Sequence, residues 1–101
     1  MIVVNIRDEH DVYGGRPRRG KAPEEIKPGE HGWLGNPFSK GTREQNIQNF
    51  RSYFWERINT DARFREEVVG LMNKRVACFC HPNACHLDQV KAWLDAGQPL
   101  E

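Results

Sequence analysis

Lys74-Arg75-Val76-Ala77-Cys78-Phe79-Cys80-His81-Pro82-Asn83-Ala84-Cys85-His86 is the stretch on which the fold turns. Val76, Cys78 and Cys80 alternate with Ala77 and Phe79, the period of a strand whose successive side chains point to opposite faces. Pro82 ends that strand. From about His86 to Ala96 the apolar spacing changes: Leu87, Val90, Trp93 and Leu94 fall on one face of a helix. Asp88 lies near the positive end of that helix, Gly97 fits its C-cap and Pro99 lies just beyond. The segment therefore predicts a strand, a short loop and a helix.

Upstream, Thr42 with Gln45 fits a capping box. Ile47, Phe50, Phe54 and Ile58 follow at spacings of three and four, with Tyr53 and Trp55 broadening the face or edging it. A second helix is expected from about Asp61 to Met72, with Thr60 as N-cap and Phe64, Val68, Leu71 and Met72 inward. At the start of the chain, Ile2 to Ile6 is a short apolar, β-branched run that suits a buried strand. Asp11 to Gly15 is a second short strand or the loop leaving the first. The order strand, loop, two helices, strand, helix predicts an α/β fold. It has a small, mostly parallel sheet and about three helices, in one compact domain over residues 1–101.

Between strand and helix, residues 14–41 hold seven of the nine glycines and four of the six prolines. An irregular segment of this length inside a small domain is usually functional or disordered. Its first half, Arg16-Pro17-Arg18-Arg19-Gly20-Lys21, is basic. Its second half carries Trp33, Leu34 and Phe38, which are costly to leave in water and are expected to fold back onto the body.

Composition bounds the function. The 101 residues carry a formal net charge of +1, which excludes the strongly basic signature of a general nucleic-acid binder. Three cysteines do not complete an intrachain disulfide framework. No apolar run approaches the roughly 20 residues needed to span a bilayer, and the first residues do not read as a signal peptide. The expectation is a cytoplasmic protein with reduced thiols and no membrane partner.

The chemistry concentrates in residues 78–86, which hold every cysteine and two of the four histidines. Three readings stand. Cys78, Cys80, Cys85 and His86 form a legitimate zinc set, although the spacing Cys78-x-Cys80 is shorter than structural zinc sites favour. Alternatively, Cys85 and His86 open a helix whose exposed N–H groups favour an anion and lower a thiol's pKa. Cys85, His86 and Cys80 are then the nucleophile and acid–base candidates, and Asn83 lies in the same loop. On the third reading Cys78 is a small core residue and His86 caps the helix.

A second constellation joins Gly15-Arg16-Pro17 to Gly35-Asn36-Pro37-Phe38. Arg16 suits a bidentate clamp on phosphate or carboxylate. Asn36 suits hydrogen bonds to a base or ribose, and Trp33 suits stacking on a ring. The competing reading is turn chemistry, with Trp33 and Phe38 in the core. Arg18, Arg19 and Lys21 are either a solvated loop or contacts to a nucleic-acid backbone.

These residues resemble the bacterial and phage family DUF4326. The matching pieces are Val12-Tyr13-Gly14-Gly15-Arg16-Pro17, Gly35-Asn36-Pro37-Phe38, the helix with Tyr53, and Val76 to Pro82 through Cys85-His86. The Cys-His start of the last helix is more loosely similar to DUF488. Two departures stand out: the family pattern usually has an aliphatic residue at Gly14, and residues 18–31 look like an insertion. The resemblance implies a compact α/β fold and one shared site, but no activity. The leading expectation is a domain that binds, and in one version acts on, a phosphorylated, nucleotide-like ligand or a nucleic-acid end. The alternatives are a phage-encoded protein that captures a host protein or nucleotide signal, and a zinc-stabilised interaction module.

Overall fold

The computed structural model describes residues 1–18 and 21–101. In chain order its elements are β1 (Ile2–Asn5), β2 (Val12–Tyr13), a 3-10 turn at Pro23–Glu25, α1 (Arg43–Thr60), α2 (Ala62–Val69), β3 (Arg75–Cys78) and α3 (Leu87–Asp95). The strands form one parallel sheet in the order β1-β3-β2. Val76 pairs with both Val3 and Val12, while Asn5 pairs with Cys78 and Tyr13 with Ala77. The carboxyl ends of all three strands therefore lie along one edge, where ligands collect in open parallel sheets.

β3 is the central strand, so Val76, Ala77 and Cys78 are all buried. β1, expected as a buried strand, is an edge strand with a single neighbour; Val3 is buried but Ile2 is 60% exposed. β3 also stops at Cys78, two residues short of the expected end. Asn83 N–H donates to Cys80 O at 2.7 Å and Asn5 Nδ2 donates to His81 O at 2.8 Å, so the chain turns there instead of extending. Phe79 is left 70% exposed.

The helices begin where local chemistry directs. Thr42 accepts from Gln45 N–H and the Gln45 side chain accepts from Thr42 N–H, closing the predicted capping box. Phe50, Phe54 and Ile58 form the buried face of α1, with Tyr53 and Trp55 half-buried at its edges. The expected cap at Thr60 is displaced by one residue. Thr60 Oγ1 donates back to Glu56 O at 2.8 Å, which keeps it inside α1. Asp61 accepts from Phe64 N–H at 3.1 Å and starts α2. α2 ends at Val69, so Leu71 still reaches the core but Met72 is 44% exposed. In α3, Leu87, Val90, Trp93 and Leu94 are buried, and Gly97 takes a left-handed φ of 87° just past its end. None of these helices is long and apolar enough to cross a membrane.

Among its described residues the Gly/Pro-rich segment is irregular apart from the 3-10 turn, and its second half folds back. Trp33 and Leu34 are buried, Ile26 joins the same core, and Phe38 packs edge-on against Tyr53. Gly35 marks the tightest crossing. A Cβ there would sit 2.8 Å from Gly15 O and 2.9 Å from Arg16 Cα, both backbone atoms. Gly35→Ala is therefore expected to cost about 1–3 kcal/mol, the range for overpacking, measured by urea unfolding. An unchanged midpoint would show that the two segments separate freely.

Candidate functional site

A cleft of about 590 Å³ opens at the carboxyl edge of the sheet. Its floor is Cys78, at the end of β3, with Cys85 and His86 before α3. Tyr13, Gly15 and Arg16 line it where β2 ends, and Asn36 lines it from the Gly-Asn-Pro-Phe turn. Arg43, Asn46 and Ile47 enter from the first turns of α1, and Phe79 and Cys80 from the turn after β3. The topology thus brings together the two constellations that the sequence holds more than 40 residues apart.

His86 is buried, and its Nε2 lies 2.9 Å from Gly14 O and 3.0 Å from Leu34 O. Both partners are acceptors, so Nε2 carries the proton and donates to them. Burial holds the ring neutral, with its pKa pushed down to about 4, against the opposing pull of those two carbonyls. Nδ1 is the remaining lone pair, and it faces Cys85 Sγ at 3.5 Å. At this helix start His86 is therefore a neutral donor. His86 makes no side-chain capping bond; instead Asp88 Oδ2 accepts from Cys85 N–H at 3.0 Å.

The thiols divide their roles. Cys78 is lowered to about 6 because its sulfur accepts from the Cys85 thiol and, against the cost of burial, from the N–H groups of His81 and Cys80. Cys85 is pushed up, first by that same bond to Cys78 and then by burial. Cys78 is buried in the core, as one reading of the sequence expects, and the lowering falls on it and not on Cys85. Cys80 is half-buried on the cleft wall.

Arg16 is exposed at the cleft and donates from Nη2 to Phe38 O at 2.8 Å, which fixes its direction. Asn36 is buried. Its Oδ1 accepts from Phe38 N–H at 2.9 Å and its Nδ2 donates to Asn46 O at 3.1 Å, so it braces the turn against α1 instead of offering both groups to a ligand. Trp33 is a correction: it is 3% exposed and stands edge-on to Phe64, with no face free for a ring. Asn83 is exposed in the turn and does not line the cleft. Arg18 and Lys21 are exposed and likewise off the cleft lining, and Arg19 lies outside the described residues. The zinc set does not assemble: among the described residues no three His, Cys, Asp or Glu side chains are placed to hold a metal ion. His86 Nε2 is already committed to two carbonyls.

Arg43, Asn46, Ile47, Phe79 and Tyr13 line the cleft but were not named as site residues from sequence. The capping box at Thr42 was the available signal for Arg43, since it places that residue on the first turn of α1. Phe79 gave no such signal, because a strand pattern hides a residue that a turn exposes.

A family model described as Domain of unknown function (DUF4326) matches residues 5–96. The chain belongs to the DUF4326 family. No curated protein and no solved structure matches it. The matched range takes in the whole cleft of this DUF4326 domain. Its Gly14 has no room for a side chain. A Cβ there would lie 2.7 Å from Val76 Cγ1 and 2.8 Å from Leu87 Cδ1.

The buried imidazole makes a pH prediction. An unfolded histidine takes up its proton near 6.5 and this folded one only near about 4. Its contribution to stability is complete above about pH 6.5 and is lost as pH falls toward about 4. Between about pH 7.5 and about pH 5 the loss is expected to be on the order of 2 kcal/mol in urea unfolding. His86→Gln starts less stable and loses less over that interval. An equal loss in both proteins would place the acid sensitivity elsewhere.

Proposed function

We propose that this cleft binds a phosphorylated, nucleotide-like small molecule. The observation that carries the reading is the pairing, in one cleft, of two exposed guanidinium groups, Arg16 and Arg43, with the exposed ring of Phe79. Two arginines suit a phosphate, whose oxygens accept fork-like pairs of N–H bonds. Arg43 stands on the first turn of α1, where the backbone N–H groups and the helix dipole favour the same negative charge. An aromatic face beside them suits a base or another flat ring. Phe79, with Tyr13 edge-on at 6.3 Å, takes the stacking part expected of Trp33.

The reading is one of binding and includes no chemical step. His86 does not serve as an acid or base toward the ligand, since its proton is held by two backbone carbonyls and its lone pair faces Cys85. Arg18 and Lys21, which follow Arg16 in the chain, are exposed and stand as candidate contacts for a ligand longer than a mononucleotide, such as a nucleic-acid end.

Calorimetric titration with the four ribonucleoside 5′-monophosphates and their nucleosides tests the proposal. At least one monophosphate is expected to bind, with its nucleoside weaker by about 10-fold or more, the worth of charge-assisted hydrogen bonds. Arg43→Ala is expected to remove a similar factor. Phe79→Ala is expected to weaken nucleotide binding more than binding of inorganic phosphate. Absence of monophosphate binding, or an Arg43→Ala protein that binds as tightly as the parent, overturns it.

A further inference from the structure

We propose that the cleft continues as a groove between α1 and α3, and that this groove takes the later nucleotides of a short single strand whose first nucleotide sits in the cleft. The inference rests on the nucleotide reading of the cleft and extends it. Two further hollows, of about 290 Å³ and about 550 Å³, lie beyond the cleft. Ile47 and Ala84 line both the cleft and the first of them. Arg51 and Gln89 line both the first and the second. The three hollows therefore adjoin in series, tracing one path from the carboxyl edge of the sheet along the seam of α1 and α3.

Helical spacing builds the walls. Arg43, Ile47, Arg51 and Trp55 recur every four residues, so they form one stripe along α1. Gln89, Ala92, Trp93 and Ala96 line the groove from α3 and its C-cap. Arg43 and Arg51 are exposed, and neither stands in an ion pair among the described residues. By contrast, Arg57, Arg63 and Arg75 pair with Asp61, Glu67 and Asp11. Among the described residues Glu44 is the one carboxylate that lines the path, against the guanidinium groups of Arg16, Arg43 and Arg51. A ring marks each end: Phe79 in the cleft, and Trp55 one helical turn past Arg51. Trp55 is half-buried, and its indole N–H donates to Glu101 Oε1 at 3.2 Å.

A single strand matches this order of groups. Proteins that hold single strands combine a cationic groove that tracks the backbone with aromatic rings that receive bases. Eight residues of helix place Arg51 about 12 Å from Arg43 along the axis of α1. Stacked nucleotides advance about 3.4 Å each along a strand, so about four nucleotides at most cover that span. The phosphates then meet Arg43 and Arg51, and the bases at the two ends meet Phe79 and Trp55. An acidic peptide meets the same cations but leaves the two rings without flat partners.

The test titrates the full chain with 5′-phosphorylated oligothymidylates and oligouridylates of one, two and four nucleotides, the two series separating a DNA from an RNA source. Affinity is expected to rise about 10-fold or more from one nucleotide to four in at least one series. Arg51→Ala is expected to remove most of that rise while changing mononucleotide binding little, whereas Arg43→Ala weakens every length. The salt slope for the four-nucleotide ligand is expected to fall by about 0.7 in Arg51→Ala, the share of one phosphate contact. Trp55→Phe keeps a ring in place, so the four-nucleotide ligand still binds but quenches less tryptophan fluorescence than in the parent. Mononucleotide binding with no gain from length overturns this inference and leaves the nucleotide reading standing. So does a gain that survives Arg51→Ala, or one lost only when Arg18 and Lys21 are replaced by alanine. Quenching unchanged in Trp55→Phe likewise overturns it. Failure of every length to bind overturns both. A tetraglutamate peptide that binds as tightly as the tetranucleotide, and equally through Arg51, overturns it in favour of an acidic peptide.

Discussion

His86, itself buried, donates one N–H to two carbonyl oxygens, those of Gly14 and Leu34. Through that single imidazole, the end of β2, the glycine-rich segment and the start of α3 are held together. Its ring also stands edge-on to Phe50 at 4.9 Å, which adds α1 to the same junction. Both carbonyls would otherwise lie buried without this partner, and an unsatisfied buried polar group costs about 1–3 kcal/mol. The arrangement needs close approach. Gly14 lacks a side chain where Val76 and Leu87 fill the space, and Gly35 lacks one where it crosses Gly15 and Arg16.

The cleft follows from this junction. Because the segment after β2 is drawn against the start of α3, Arg16 faces the same opening as Cys78 and Cys85. Asn36 completes the enclosure from the other side, spending its side chain on Phe38 N–H and Asn46 O. One wall is thereby rigid and hydrogen-bonded, while Phe79 and the arginines reach from more open positions. The neutral histidine brings no positive charge to the thiols, and the lowering of Cys78 comes from its other neighbours.

The departures from the sequence reading share one physical cause: a local pattern reports the period of side chains but not where the chain stops following it. The alternation through Cys80 is real in sequence, yet hydrogen bonds from Asn83 and Asn5 turn the chain after Cys78. Thr60 has the chemistry of an N-cap, but its hydroxyl had a carbonyl of α1 within reach. Trp33 read equally well as a ligand platform or as core. Only its contact with Phe64 decides for core.

By itself the sequence determined the α/β order, the capped start of α1, the buried faces of α1 and α3, and the fold-back of the Gly/Pro-rich segment. Those features rest on local spacing, capping chemistry and the cost of exposing Trp33 and Leu34. It also marked the Cys/His loop and Arg16 as one site's material. Only the tertiary structure decided what each residue does there. It brought Arg43 and Phe79 to the cleft and assigned Asn36 and His86 to holding it together. The reason is that a side chain's charge state and freedom depend on which donors surround it, and here those donors come from segments far apart in the chain.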